Sequence, residues 1–345
     1  MPPPEDAQTI SGISPKKAAL LVVKFLVSFG LLFYLLSSIE LTDIKANLAS
    51  ADPVFLVLAL LTPYIGFFIT SLRWKGLLAE QGVHARQSIL FRSCMTAVFF
   101  NQLLPSTIGG DVVRIYDSWK AGATRAVAVS TIFIDRILGL TALALFAVAG
   151  LALMNKQSDD LELLPLAVVG VAICLAVSVL MVFSPVKALL ELARTVYHAS
   201  PRPINKFFGK LDEAVESYRG KHIVLIRAMV LSLVLQLNVI LMHFLLGRAI
   251  GISPTFYDYF YVVPIALFVM LIPLTINGIG LREGMFVYML AGLGVAKDDA
   301  ITLSLLAFAV FLIHGVMGGI VLAIRGLSLS AIQKSDGTQR SGQPI

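Results

Sequence analysis

The sequence predicts an all-α integral membrane protein built as an inverted repeat of two halves. Three observations carry this. Hydrophobic residues make up 57% of the 345 and charged residues only 14%, whereas soluble domains carry about 25% charge. The apolar residues gather in runs of about 20, enough to cross a bilayer. Two segments half a chain apart also repeat each other, LPSTIGGDVVR at 104–114 and IPLTINGIGLR at 272–282.

Full spans are expected at 16–39, 53–79, 126–154, 163–184, 222–250 and 299–325. The first is an anchor and not a cleaved signal. Its leading tail, MPPPEDAQTISGISPKK, opens acidic and proline-rich, its apolar run is too long, and no small-residue cleavage site follows. Basic residues then orient the chain, because cytoplasmic flanks retain Lys and Arg. With the N-terminus inside, most of the 27 basic residues fall in the N-tail, 73–92, 114–125, 185–221 and the C-tail. The outer loops hold only Lys45, Lys156, Arg248 and Lys297, beside Glu40, Asp43, Asp52, Asp159, Asp160, Glu162, Asp258, Asp298 and Asp299. Both termini are therefore expected in the cytoplasm of a multi-pass cell-membrane protein.

That topology requires the apolar segments 87–118 and 258–294 each to leave and return on one side. Each is interrupted by the repeated motif, so each reads as a re-entrant broken-helix hairpin, the first from the cytoplasm and the second from outside. Such backbone is tolerated at membrane depth only where protein or a watered cavity covers it. Each half then holds two spans, a hairpin and a third span: 1–155 first, 156–325 inverted, with 326–345 a disordered cytoplasmic tail. The competing reading makes both segments ordinary packed spans with small residues at helix contacts.

Paired Gly/Pro breaks in corresponding halves point to a transport site. Pro105, Gly109 and Gly110 shape the first break; Pro273, Gly278 and Gly280 shape the second. A new half-helix is expected to begin near Ile108–Gly110 and near Asn277–Gly278, and its free N–H groups and dipole attract phosphate. Thr107, Thr275 and Asn277 are placed to cap these starts or to bind a head group. Arg114 and Arg282 follow, and arginine keeps its charge and its donor fork when buried. Asp111, Asp135, Arg136 and Glu283 are the other charges at depth, where unpaired charge is costly and marks a functional site. One internal cavity is expected to gather all six charged residues. The bland alternative pairs each arginine with a local acid, such as Asp111 three residues before Arg114. Asp135 and Glu283 are also candidate proton carriers.

Four segments, RWKGLL at 73–78, FFNQLLPSTIGGDVVRIYDSWKAG at 99–122, STIFIDRILGL at 130–140 and NGIGLREGMFVYMLAGLGV at 277–295, resemble the lysylphosphatidylglycerol synthase transmembrane-region family. The resemblance covers the membrane portion and implies movement of an amphiphilic lipid or lipid-linked group between leaflets. Fused members of that family owe their synthase activity to a cytosolic C-terminal domain. Here only LSLSAIQKSDGTQRSGQPI follows the last span, so the expectation is the membrane domain without that activity.

Other residues receive plainer readings. Asn101 and Gln102 are expected to satisfy backbone groups freed by the first break. Arg73-Trp74-Lys75 reads as an interface anchor, and His243 and His314 as packing residues. Cys94 and Cys174 lie far apart in apolar surroundings and should stay reduced. No metal-ligand spacing, P-loop or dinucleotide fingerprint occurs, so no cofactor is expected. The basic segment 185–221 is read as an amphipathic element on the anionic inner leaflet. The first functional reading is a flippase for a phosphate-bearing lipid. The alternatives are a membrane enzyme acting on lipids or lipid-linked sugars, and a partner of a separate lipid-modifying enzyme. The expected partners are membrane lipids and not nucleic acid; the lipid, its direction, the energy source and the oligomeric state are not encoded in any motif.

Overall fold

The computed structural model describes residues 41–103, 109–153, 220–271 and 277–340, with Gly30, Phe33, Tyr34, Tyr218 and Thr275 beside them. The expected span 163–184, nearly all of 16–39 and of the segment 185–221, and the motif residues Pro105, Thr107 and Pro273 lie outside the described residues. Every described element is a helix: α1 (Leu41–Ala49), α2 (Pro53–Glu80), α3 (Gln87–Leu103), α4 (Gly109–Lys120), α5 (Arg125–Leu153), α6 (His222–Ala249), α7 (Tyr259–Met270), α8 (Leu281–Ala291) and α9 (Lys297–Arg340). Four of them, α2, α5, α6 and the Lys297–Gly326 part of α9, are long and apolar enough to cross a membrane. They coincide with four of the expected spans.

Polarity is arranged for lipid. Val54, Val57, Leu58, Leu61, Ile65, Phe68 and Leu72 form one exposed stripe along α2, and Ile223, Ile226, Val230, Val234, Leu237 and Leu241 form another along α6. Stripes this long on a water-soluble monomer would be an aggregation surface; here they are the lipid face of a multi-pass membrane protein. The buried positions combine large apolar side chains such as Trp74, Leu77 and Phe286 with charged ones, among them Arg73, Arg114, Asp135, Arg282 and Glu283.

Helix α2 begins where Asp52 Oδ1 accepts from the Val54 amide at 2.8 Å, with Pro53 in the first turn. Pro63 cannot donate to the Ala59 carbonyl, and the Thr62 hydroxyl donates there instead at 2.7 Å. Helices α2 and α6 run antiparallel along their whole length. The Asp52 amide meets the Ala249 carbonyl, Asn238 donates to the Thr62 carbonyl, Arg73 reaches Ser232, and Lys221 Nζ donates to the Glu80 carbonyl. This defines a basic end, near Glu80, Lys120 and Lys221, and an acidic end, near Asp52, Asp258 and Asp299.

Two pairs of short helices pack between these ends. Helix α3 starts at the basic end, where Gln87 Nε2 donates to Ser71, and α4 packs back along it. The fold-back needs Gly110, because a Cβ there would lie 2.6 Å from the Ala97 carbonyl oxygen. Helix α7 starts at the acidic end against α5, where a Cβ on Gly150 would lie 2.4 Å from the Tyr261 amide nitrogen, and α8 packs on α7. Helix α9 closes the bundle, and Gly318 lets it approach the Met95 carbonyl of α3. Residues 41–49, assigned by the sequence reading to an outer loop, form α1, tied to α9 by Asn47 Nδ2 donating to Asp299 at 2.7 Å.

Candidate functional site

Charge at depth lies in two groups. The first is assembled by four helices. Asp135 of α5 accepts from Arg73 Nε of α2 at 2.5 Å and from Arg114 Nη2 of α4 at 2.8 Å. Arg73 Nη1 also donates to Ser232 Oγ of α6 at 2.5 Å. Trp74, beside Arg73, lies under the Arg114 guanidinium at 4.7 Å. At 1.5 Å rise per residue, Asp135 and Ser232 sit about 15 Å, and Arg73 about 10 Å, from the basic ends of their helices. Asp135 is 1% exposed. Two arginines therefore share one carboxylate at depth, and among the described residues the group keeps one uncompensated positive charge. Two of its donors, Arg114 Nε and Trp74 Nε1, are buried without a hydrogen-bond partner.

A satellite pair flanks this group. Arg136 Nε donates to Asp111 Oδ2 at 2.9 Å, with the Arg136 side chain 44% exposed. Helices α4 and α5 are thus crosslinked twice, 111 to 136 and 114 to 135. The local Asp111–Arg114 pairing allowed by their spacing is not the one formed. Lower down, Arg325 Nη2 of α9 donates to both oxygens of Asp117 in α4, at 2.7 and 2.9 Å.

The second group is local. Gly280, at φ 80°, precedes α8, and its amide donates to Glu283 Oε2 at 2.6 Å, so the glutamate caps its own helix. Arg282 pairs with Glu283 Oε1, donates to Ser304 Oγ of α9 at 3.0 Å, and lies over the Phe308 ring at 4.7 Å. Neighbours in a helix ordinarily diverge, but at a first turn both side chains can reach back past the helix start. This group is neutral. Ser304 sits about 10 Å from the acidic end of α9, so the two groups are toward opposite ends of the bundle. The expectation of one cavity holding all six charges is therefore corrected: Arg114, Asp135, Asp111 and Arg136 come together, and Arg282 and Glu283 stand apart.

The breaks themselves meet. Asn277 Nδ2 donates to the Gln102 carbonyl at 3.3 Å, joining the second break to the end of α3. Gln102 Nε2 donates to the Phe311 carbonyl near the middle of the apolar Lys297–Gly326 part of α9, and Asn101 Oδ1 accepts from the Gly110 amide at 2.6 Å. Asn101 thus serves a backbone group at the first break, as expected, whereas Gln102 reaches instead to a carbonyl of α9. Asn277 (φ 52°) and Gly278 (φ 75°) hold the left-handed conformation, so α8 begins at Leu281, three residues later than the sequence reading places it. Thr275 is buried, and its hydroxyl has no hydrogen-bond partner. His243 Nδ1 donates to the Val239 carbonyl and its ring stacks on Phe286, and His314 packs against Tyr64 at 4.8 Å. Both are packing residues. Among the described residues no group of His, Cys, Asp and Glu could hold a metal.

Sequence reasoning missed Arg73, Ser232, Trp74, Asp117, Arg325, Ser304 and Phe308. One signal was available for Arg73. It lies seven residues before the end of a 28-residue helix, about 10 Å deep, which is too deep for an interface anchor. The serines and aromatic rings carry no such signal, because in an apolar helix they look like packing.

The profile of the family described as the lysylphosphatidylglycerol synthase TM region matches residues 21–319. A UPF0104 membrane protein of Methanothermobacter thermautotrophicus is 21% identical over 328 residues, covering 89% of this chain and 91% of its own. Another, from Pyrococcus horikoshii, is 27% identical over 307 residues, covering 81% of this chain and 90% of its own. A third, from Methanocaldococcus jannaschii, is 29% identical over 133 residues, covering 38% of each chain. The chain belongs to the lysylphosphatidylglycerol synthase TM region family.

Proposed function

We propose that this membrane domain moves a phosphate-bearing amphiphilic lipid, or a lipid-linked group, between leaflets, with the Arg73–Arg114–Asp135 group as its anion site. The observation that carries the reading is the unbalanced charge: two buried arginines on one carboxylate, with Arg114 Nε and Trp74 Nε1 left without partners. A lone positive charge in hydrocarbon is expensive and persists only where it serves a purpose. A phosphate oxygen taking the open donors of Arg114 would form charge-assisted hydrogen bonds there. Asp135 would stay paired with Arg73, so no charge is stranded. The acyl tails would remain in lipid along the exposed stripes of α2 and α6.

The helix geometry supports the route. We take α3–α4 and α7–α8 to be re-entrant hairpins entering from opposite faces, with their breaks joined near midplane through Asn277 and Gln102. The two halves are then inverted repeats, and the basic end faces the cytoplasm together with both termini. Alternating exposure of such a midplane junction is the working plan of many secondary transporters. The family name, which concerns a lipid synthase, agrees with a lipid role. A membrane enzyme would need a carboxylate free to exchange protons with water. Asp135 is clamped by two arginines and Glu283 by an arginine and a backbone amide.

The test is leaflet exchange in vesicles holding the purified protein, with labelled phospholipid and polyprenyl-phosphate probes. Wild type should accelerate exchange of a phosphate-bearing probe, and Arg114→Met and Arg73→Met, checked for folding, should lower the rate at least tenfold. Unchanged exchange in both variants, or no exchange of any probe by wild type, would sink the reading.

A further inference from the structure

We infer that the groove between α2 and α6 at the basic end is a docking site for the phosphate of a membrane phospholipid, ahead of the buried arginine group. This rests on the transport reading above and adds a separate place where the lipid is first held. The groove has a volume of about 1010 Å³, at the upper end of the ~300–1,000 Å³ usual for small-molecule clefts. Its mouth carries Lys221, His222 and Arg227, and its apolar wall includes Leu72, Ile226 and Val230. Glu80 is the one acidic residue among its described lining residues. Lys221 holds the Glu80 backbone carbonyl at 2.6 Å and lies over the Tyr218 ring at 5.8 Å, which fixes its ammonium at the rim. Arg227 is exposed and forms no ion pair among the described residues.

Cationic rim and apolar wall match one occupant, a lipid with phosphate at the interface and acyl chains below it. A soluble anion would gain nothing from Leu72, Ile226 and Val230, and a neutral lipid nothing from Lys221 and Arg227. A second observation ties the groove to transport. Arg73 lines it, and the same guanidinium bonds Asp135 and Ser232. The groove and the buried group therefore share Arg73. Basic residues at an anionic surface each contribute about fivefold in lipid binding.

The test uses the full chain in phosphatidylcholine–phosphatidylglycerol vesicles with a trace of photoactivatable phosphatidylglycerol, adducts being mapped by peptide mass spectrometry. It is run in wild type and in Arg114→Met, so that labelling is read apart from movement. Adducts should concentrate on residues 72–80 and 220–231, be absent with a photoactivatable diacylglycerol, and fall at least about tenfold in Lys221→Gln/Arg227→Gln. Even labelling along the exposed faces of α2, α6 and α9, or labelling indifferent to the double substitution, overturns the groove. So does competition by millimolar glycerol phosphate, which would mark a site for a free anion. Groove labelling that persists while Arg114→Met leaves exchange intact would instead remove the transport reading and keep the docking site.

Discussion

The two copies of the repeated motif differ most at the residue they share. Arg114 and Arg282 occupy the same place in LPSTIGGDVVR and IPLTINGIGLR, yet Arg114 reaches across to α5 and joins an arginine from α2, while Arg282 turns to its own neighbour Glu283. The first copy builds a positively charged group that exists only when four helices meet. The second builds a neutral pair whose carboxylate also caps a helix start. Two similar motifs can thus differ in how they use the same arginine, one holding an unbalanced charge and the other committing its charge to local order.

The comparison is broken most directly at Asp135. Asp135→Asn strands two buried arginines together, whereas Glu283→Gln leaves one arginine with Ser304 and Phe308 still beside it. Removing one member of a buried ion pair costs about 3–5 kcal/mol, and Asp135→Asn should sit at the top of that range or prevent folding. The check is the midpoint of thermal unfolding in detergent, with Glu283→Gln falling less. Equal losses would mean that the first group carries no excess charge at depth.

The arginines sharpen the same point. Arg114→Met leaves Arg73 and Asp135 as a balanced pair, so its stability cost should stay near ~1 kcal/mol while leaflet exchange falls at least tenfold. Arg282→Met strands Glu283 and should cost about 3 kcal/mol. Adding Glu283→Gln to it restores neutrality and keeps an oxygen for the Gly280 amide, so the double variant should recover most of that loss. If Arg114→Met proves the less stable of the two single variants, the assignment of roles is reversed.

How far the sequence carries is clear from these residues. Four spans, the two breaks and Arg114, Asp135, Arg282 and Glu283 could be read from it, because hydropathy runs and charge inside them are direct physical signals. The pairing could not. Asp111 and Arg114 lie at helical spacing and still choose partners on α5, since the crossing of α4 and α5 brings Arg136 and Asp135 within reach. Arg73 reads as an anchor because its neighbours Trp74 and Lys75 make a familiar interface triplet. The single cavity failed because α4 carries Arg114 toward the basic end and α8 carries Arg282 toward the acidic end, away from the Asn277–Gln102 contact.

The glycines of the two breaks rank next. A Cβ on Gly110 would lie 2.6 Å from the backbone oxygen of Ala97, which cannot move without shifting α3. A Cβ on Gly278 would lie 2.5 Å from the Met270 methyl, which can swing away, although φ of +75° remains unfavourable. Overpacking costs about 1–3 kcal/mol and the left-handed conformation about 1–2 kcal/mol. Gly110→Ala should therefore lower the unfolding midpoint more than Gly278→Ala, and only Gly110→Ala should disturb the packing of α3 on α4.

The smallest expected effect tests whether the breaks are joined by chemistry or merely adjacent. Gly109 of the first motif aligns with Asn277 of the second, so Asn277→Gly makes the copies more alike. The substitution relieves a side chain held at φ 52° and removes the 3.3 Å hydrogen bond to the Gln102 carbonyl. A neutral hydrogen bond contributes about 0.5–1.5 kcal/mol, and a long one sits at the low end, while relief of the backbone offsets part of it. The unfolding midpoint should barely move, within the equivalent of ~1 kcal/mol. Exchange is the finer readout. If the junction only brings the breaks together, the rate should hold; if Asn277 orders the path between them, the rate falls while stability does not, and the second motif then acts in transport through its break instead of its arginine.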